Sequence, residues 1–157
     1  MEQQTRDQAM DSRTIECLQQ KIHYYHTPGS GDPIVFIHGM PTSGYLWRHI
    51  MPQCQSIGPC YAIDLIGTGL SDKPNIDYSI SDHVQYLKAW ITQLNLDHIT
   101  LVLHGWGSVI GFEFARQHPE KIKGLVFNEA YVRPITHRDM LSLPMQELSF
   151  SLQDPQQ

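Results

Sequence analysis

A chain of 157 residues with 41% hydrophobic content is long enough to bury a core and short enough that one domain is expected. Its formal net charge of -5, with 16 Asp plus Glu against 11 Lys plus Arg and no basic block, argues against nucleic acid or an anionic membrane surface as the main partner. The polar opening MEQQTRDQAMDSR lacks the apolar run of a signal peptide, and no window reaches the ~20 apolar residues of a membrane span, so a cytoplasmic location and a small neutral or apolar ligand are expected.

Residues 1–12 read as a polar, flexible leader. TIECLQQKIHYYH then carries two short β-prone runs before the turn cluster PGSGDP, the pattern of an opening hairpin. Four apolar runs follow in order: IVFIHG, CYAIDLIG, ITLVLHG and IKGLVFNEA. Continuous apolar runs of this length suit central strands covered on both faces.

Helical patterns separate these runs. TSGYLWRHIM offers Leu46 with Ile50 one turn on and is stopped near Pro52. Ile80, Val84, Leu87, Ile91 and Leu94 lie along one helical face, with Ser79 or Ser81 as the cap. SVIGFEFARQH is closed by Pro119. Alternation of strand and helix predicts a mostly parallel, doubly wound α/β sheet with helices on both faces and a ligand crevice at the carboxyl ends of the strands. After Arg133 the rhythm stops, and residues 135–157 read as the start of another element or a tail.

His38, Asp64, His104 and Glu129 stand at the carboxyl ends of the four strands, where a shared crevice brings distant residues together. Each also reads as an ordinary hydrogen-bonded strand-end residue. No close ligand pair such as HxxxH accompanies them, so no metal is expected, and no cofactor motif is present. Cys17, Cys54 and Cys60 form no CxxC pair and read as idle thiols.

HGMPTSGYLWRHIMP, DLIGTGLSDKP, DHVQYLKAW, HGWGS and EAYVRPI together resemble the haloalkane dehalogenases of the α/β-hydrolase superfamily, in order and in spacing, from about Lys21 to Pro134. The marine coelenterazine luciferases share much of this pattern. The resemblance implies an α/β-hydrolase fold, with residues 13–134 forming the N-terminal part of its core and the sequence stopping before the family's cap and last strands. It also implies a two-step hydrolysis: an aspartate on the turn after the third run attacks the halogen-bearing carbon, two N–H donors hold the departing halide, and a histidine activates water to open the alkyl ester.

Carried over by position, the resemblance puts that nucleophile at Gly105, which has no side chain to attack with. Trp106 matches the halide-holding tryptophan, whose backbone N–H also belongs to the oxyanion hole. Met40 stands where the family has an asparagine and offers only its backbone N–H. Glu129 matches the acid that orients the histidine in one subgroup, while the histidine itself belongs downstream of Gln157. Ser108 lies three residues past the apex and reads as a helix residue; His104 and His38 read as structural, with the His104 ring expected to point away from the position of attack.

The expected object is therefore a dehalogenase-like hydrolase without its nucleophile and base. The alternatives are a noncatalytic module binding small apolar or halogenated molecules and a luciferase-like oxygenase. Leu125 lies in what reads as an uncovered sheet edge, which invites self-association.

Overall fold

A computed structural model describes residues 10–132 of the chain. Strands β1 (Asp11–Cys17) and β2 (Gln20–Thr27) form the opening antiparallel hairpin, so the strand begins inside the stretch that composition assigned to the leader. The reversal runs through Leu18 and Gln19, at φ of 52° and 63°. Two successive positive φ values are what a tight hairpin turn requires, and here they fall on residues with a Cβ instead of the usual Asn and Gly.

β3 (Ile34–Ile37), β4 (Cys60–Ile63), β5 (Ile99–His104) and β6 (Ile122–Asn128) are the four apolar runs. They pair in parallel as β4-β3-β5-β6, and β2 joins β4 antiparallel to give the sheet order β1-β2-β4-β3-β5-β6. Successive side chains on a strand face opposite ways, so each central run feeds two cores. Val35, Ile37, Leu101 and Leu103 face one core, and Ile34, Phe36, Cys60 and Ala62 face the other.

Helix α1 (Ile80–Gln93) buries Val84, Leu87, Trp90 and Ile91 against the first of these cores. Ser79 is its cap. The Ser79 hydroxyl accepts from the Asp82 N–H while the Asp82 carboxylate accepts from the Ser79 N–H, closing a capping box. Helix α2 (Trp106–Gln117) packs beside α1 on the same face through Ile110 and Phe114.

Two expectations change here. The segment between β3 and β4 is two short 3-10 turns, Gly44–Trp47 and Met51–Cys54, in place of a helix. It buries Trp47 and Met51 under the second core and leaves Leu46 and Ile50 exposed, one residue out of phase with the sequence reading. Pro52 has no N–H and clashes with the carbonyl four residues back, which breaks an α-helix there. Gly44 fixes the start of the segment by donating its N–H to the Asp64 carboxylate at 2.7 Å. Second, among the described residues both α-helices lie on one face of the sheet, and the opposite face is covered by these turns.

Candidate active site

The turn between β5 and α2 has Gly105 at φ 54° and ψ -128°. A side chain costs strain in that backbone conformation, and glycine does not. A Cβ built there would meet only the Gly39 Cα at 3.7 Å, so the apex opens onto free space. Behind it the packing is close. A Cβ on Gly107 would collide with the His38 carbonyl, and one on Gly111 with the Leu103 side chain. These two glycines let α2 lie directly on β3 and β5, which fixes the direction in which the turn points.

Gly39, Met40, His104, Gly105, Trp106, Glu129 and Tyr131 line one cavity of about 470 Å³ at the carboxyl ends of β3, β5 and β6. Trp106 is the first residue of α2, where a backbone N–H has no partner within the helix and the helix dipole is positive. Its indole packs edge-on against Tyr131, with ring centroids 6.3 Å apart. The floor is peptide. A Cβ on Gly39 would stand 3.1 Å from the His104 carbonyl oxygen and 3.3 Å from the Trp106 nitrogen.

His104 departs from expectation. Its ring does not turn away from the site but lines the cavity, with Nε2 3.1 Å from Glu129 Oε2. The Glu129 carboxylate, read as the orienting acid for a downstream histidine, thus has an imidazole partner within the described residues. Glu129 follows β6 at φ 49°, an uncommon conformation for a residue with a side chain. Burial alternates along β5, which sends His104 away from the helix-covered core and toward Trp47, at a ring separation of 6.4 Å.

His38 and Asp64 serve the frame. His38 is fully buried; its Nδ1–H donates to the Gly39 carbonyl, and Nε2 accepts the Leu65 N–H. Desolvation holds its pKa below the ordinary 6.5. Asp64 accepts from the N–H groups of Gly44 and Leu70 and from His23, all away from the cavity lining. Ser108 is buried in the first turn of α2, donating to the Gly105 carbonyl and accepting the Tyr131 N–H, so it ties the elbow to the segment after β6. Burial pushes the thiols of Cys17 and Cys60 up to about 11, which keeps them protonated at neutral pH. Among the described residues no three His, Cys, Asp or Glu side chains gather as for a metal, and no helix is long and apolar enough to cross a membrane.

A parallel sheet, a glycine-floored cavity at its carboxyl ends and a positive-φ apex between strand and helix are the features of a nucleophile elbow. The sequence pattern of the α/β-hydrolase fold matches residues 32–155. The chain belongs to the α/β-hydrolase fold family. Within this family it is similar to the N-terminal portion of haloalkane dehalogenases. It is 47% identical over 120 residues to a haloalkane dehalogenase of Sphingobium indicum, covering 73% of this chain and 40% of that one. Identity to a haloalkane dehalogenase of Mesorhizobium japonicum is 41% over 120 residues, 76% of this chain and 38% of the relative. The crystal structure of the haloalkane dehalogenase DatA from Agrobacterium tumefaciens C58 superposes with a TM-score of 0.81 at 36% identity, covering 95% of this chain and 50% of that one. The α/β-hydrolase chain described here thus spans about 40% of the length of these curated relatives and half that of the solved one.

Proposed function

We propose that this chain carries the pocket of a haloalkane dehalogenase-like hydrolase in a form that binds small apolar or halogenated molecules and does not displace halide. The observation that supports this is Gly105: the apex of the elbow opens onto the cavity and presents no carboxylate to it. Trp106, which has an indole and a backbone N–H to offer, lines that space, whereas the Met40 side chain beside it has no donor. Displacement at carbon needs an oxygen nucleophile aligned with the carbon–halogen bond, and loss of the nucleophile alone removes most of such catalysis.

Halide release from 1,2-dibromoethane, followed beside the mass of the intact protein, tests this. The chain with Gly105 is expected to release no halide above the protein-free rate while small bromoalkanes quench the Trp106 fluorescence saturably. Gly105→Asp is expected to release one bromide per chain and to gain the mass of one bromoethyl ester at residue 105. Bromide turnover by the chain with Gly105 would overturn the proposal, as would a Gly105→Asp protein that folds and stays unalkylated.

A binding module is the second reading, favoured by the His104–Glu129 pair, which already occupies the carboxylate in the cavity wall. Saturable quenching without chemistry in either protein supports it. Pairing of two copies along β6 also belongs with these proposals, because Leu125, Val126 and Phe127 are 41%, 55% and 52% exposed. Elution as a concentration-independent monomer would remove it.

A further inference from the structure

Ser12, His23 and Asp64 form a hydrogen-bonded line on the hairpin side of the sheet, distinct from the cavity residues. Ser12 Oγ is 2.7 Å from His23 Nε2, and His23 Nδ1 is 2.8 Å from Asp64 Oδ2. The geometry points to Ser12 as an activated nucleophile that takes one acyl or phosphonyl group from an activated ester.

The tautomer follows from the partners. A carboxylate only accepts, so Nδ1 carries the ring proton, Nε2 presents its lone pair, and the Ser12 hydroxyl donates to it. This is the order of roles in a serine hydrolase triad, recognised by geometry and not by position in the sequence. The His23 ring has little freedom to leave this arrangement. It is 2% exposed, stands edge-on to Tyr25 at 4.7 Å, and its backbone N–H donates to the Ser71 hydroxyl. Asp64 is fixed in turn by the Gly44 and Leu70 N–H groups at 2.7 and 2.8 Å. Ser12 lies on the exposed edge strand β1, so the base is buried while the nucleophile meets solvent. Ser12 and Thr14 share the face that carries His23, because Thr14 is the cross-strand partner of His23 and side chains alternate along a strand.

In the step itself, Ser12 Oγ attacks the phosphorus of a fluorophosphonate, the P–O bond forms, the P–F bond breaks and fluoride leaves. The hydroxyl proton passes to His23 Nε2, and Asp64 stabilises the imidazolium. With an activated carboxylic ester the alkoxide leaves instead and takes that proton. The inference concerns uptake of one equivalent; turnover requires oxyanion donors and a directed water in addition.

The test is labelling of the intact chain with an alkyl fluorophosphonate, read by peptide mass spectrometry. Ser30 and Ser81 are exposed serines in the same molecule and serve as internal controls. General-base assistance contributes about 10²-fold or more, so Ser12 is expected to label at least about a hundredfold faster than either control. Ser12→Ala is expected to remove the fast adduct, and His23→Asn, checked for folding by circular dichroism, to reduce Ser12 to the control rate. Labelling of Ser12 at the rate of Ser30 in the unaltered chain overturns the inference and leaves the line as a clamp between β1 and the Asp64 loop. That comparison needs no variant to fold.

Discussion

Gly105 and Gly107 lie two residues apart and answer substitution for different reasons. At Gly105 there is room for a methyl group, and the cost is the backbone conformation, about 1–3 kcal/mol. At Gly107 the backbone is ordinary, and the obstacle is the carbonyl of His38. Gly105→Ala is therefore expected to lower stability by about 1–3 kcal/mol with the fold retained. Gly107→Ala should cost more, since backbone on both sides must move. Denaturant titration of the two variants decides; equal losses would mean that α2 and β3 separate easily. The elbow was legible through the resemblance of HGWGS to the family's turn, which put the apex at Gly105, between the apolar run that is β5 and the helical pattern that is α2. The place of His104 was not deduced, although it is the residue directly before that apex: a side chain at the end of a strand takes its direction from Trp47 and Glu129, both distant in sequence.

Among the elements, α1 shows which sequence signals suffice. Its apolar period and its cap act within the helix, so Val84, Leu87 and Ile91 were readable before any contact was known. Ser79 and Ser81 were equivalent as caps on spacing alone, and Asp82 separates them, because only Ser79 has the acid three residues on that closes the box. Ser79→Ala is expected to destabilise the protein by about 0.5–2 kcal/mol and Ser81→Ala by less than about 0.5 kcal/mol, measured by urea unfolding. A larger loss at Ser81 would contradict the assignment. The 3-10 segment shows where such signals fail. Leu46 and Ile50 have helical spacing, yet the choice of Trp47 and Met51 as the buried pair is imposed by the second core and by the tether from Gly44 to Asp64.

For the whole molecule, the parallel β3–β6 core followed from alternation, but the placing of β4 between β2 and β3 did not, because nothing local records which strand is a neighbour. Titration is also a property of this scale. His26 in β2, His38 just after β3 and His83 in α1 lie apart in the chain, and in each case desolvation is the largest cause holding the pKa below 6.5. Below pH 6.5 the unfolded chain takes protons at these rings before the folded chain does, so it binds more protons over that window. Stability is expected to be level from pH 8 to about 7 and to fall as the pH drops through 6.5 toward 5. Guanidinium midpoints at pH 8, 6.5 and 5 measure this. A midpoint unchanged at pH 5 would show that these imidazoles accept protons in the folded state without penalty.

The close approach of Gly39 to His104 and Trp106 makes main chain, not side chains, the base on which any guest in the crevice rests. Mutation can vary Met40, Glu129 and Tyr131 around the opening and so alter which molecules enter. At Gly39 it has less purchase, because a Cβ there presses on the His104 carbonyl and ring and on the Trp106 nitrogen, whereas Gly105 has room for a side chain at the cost of its backbone conformation. Substitutions at the rim therefore change the mouth of the crevice while the main-chain contact of Gly39 with His104 and Trp106 holds its base in place.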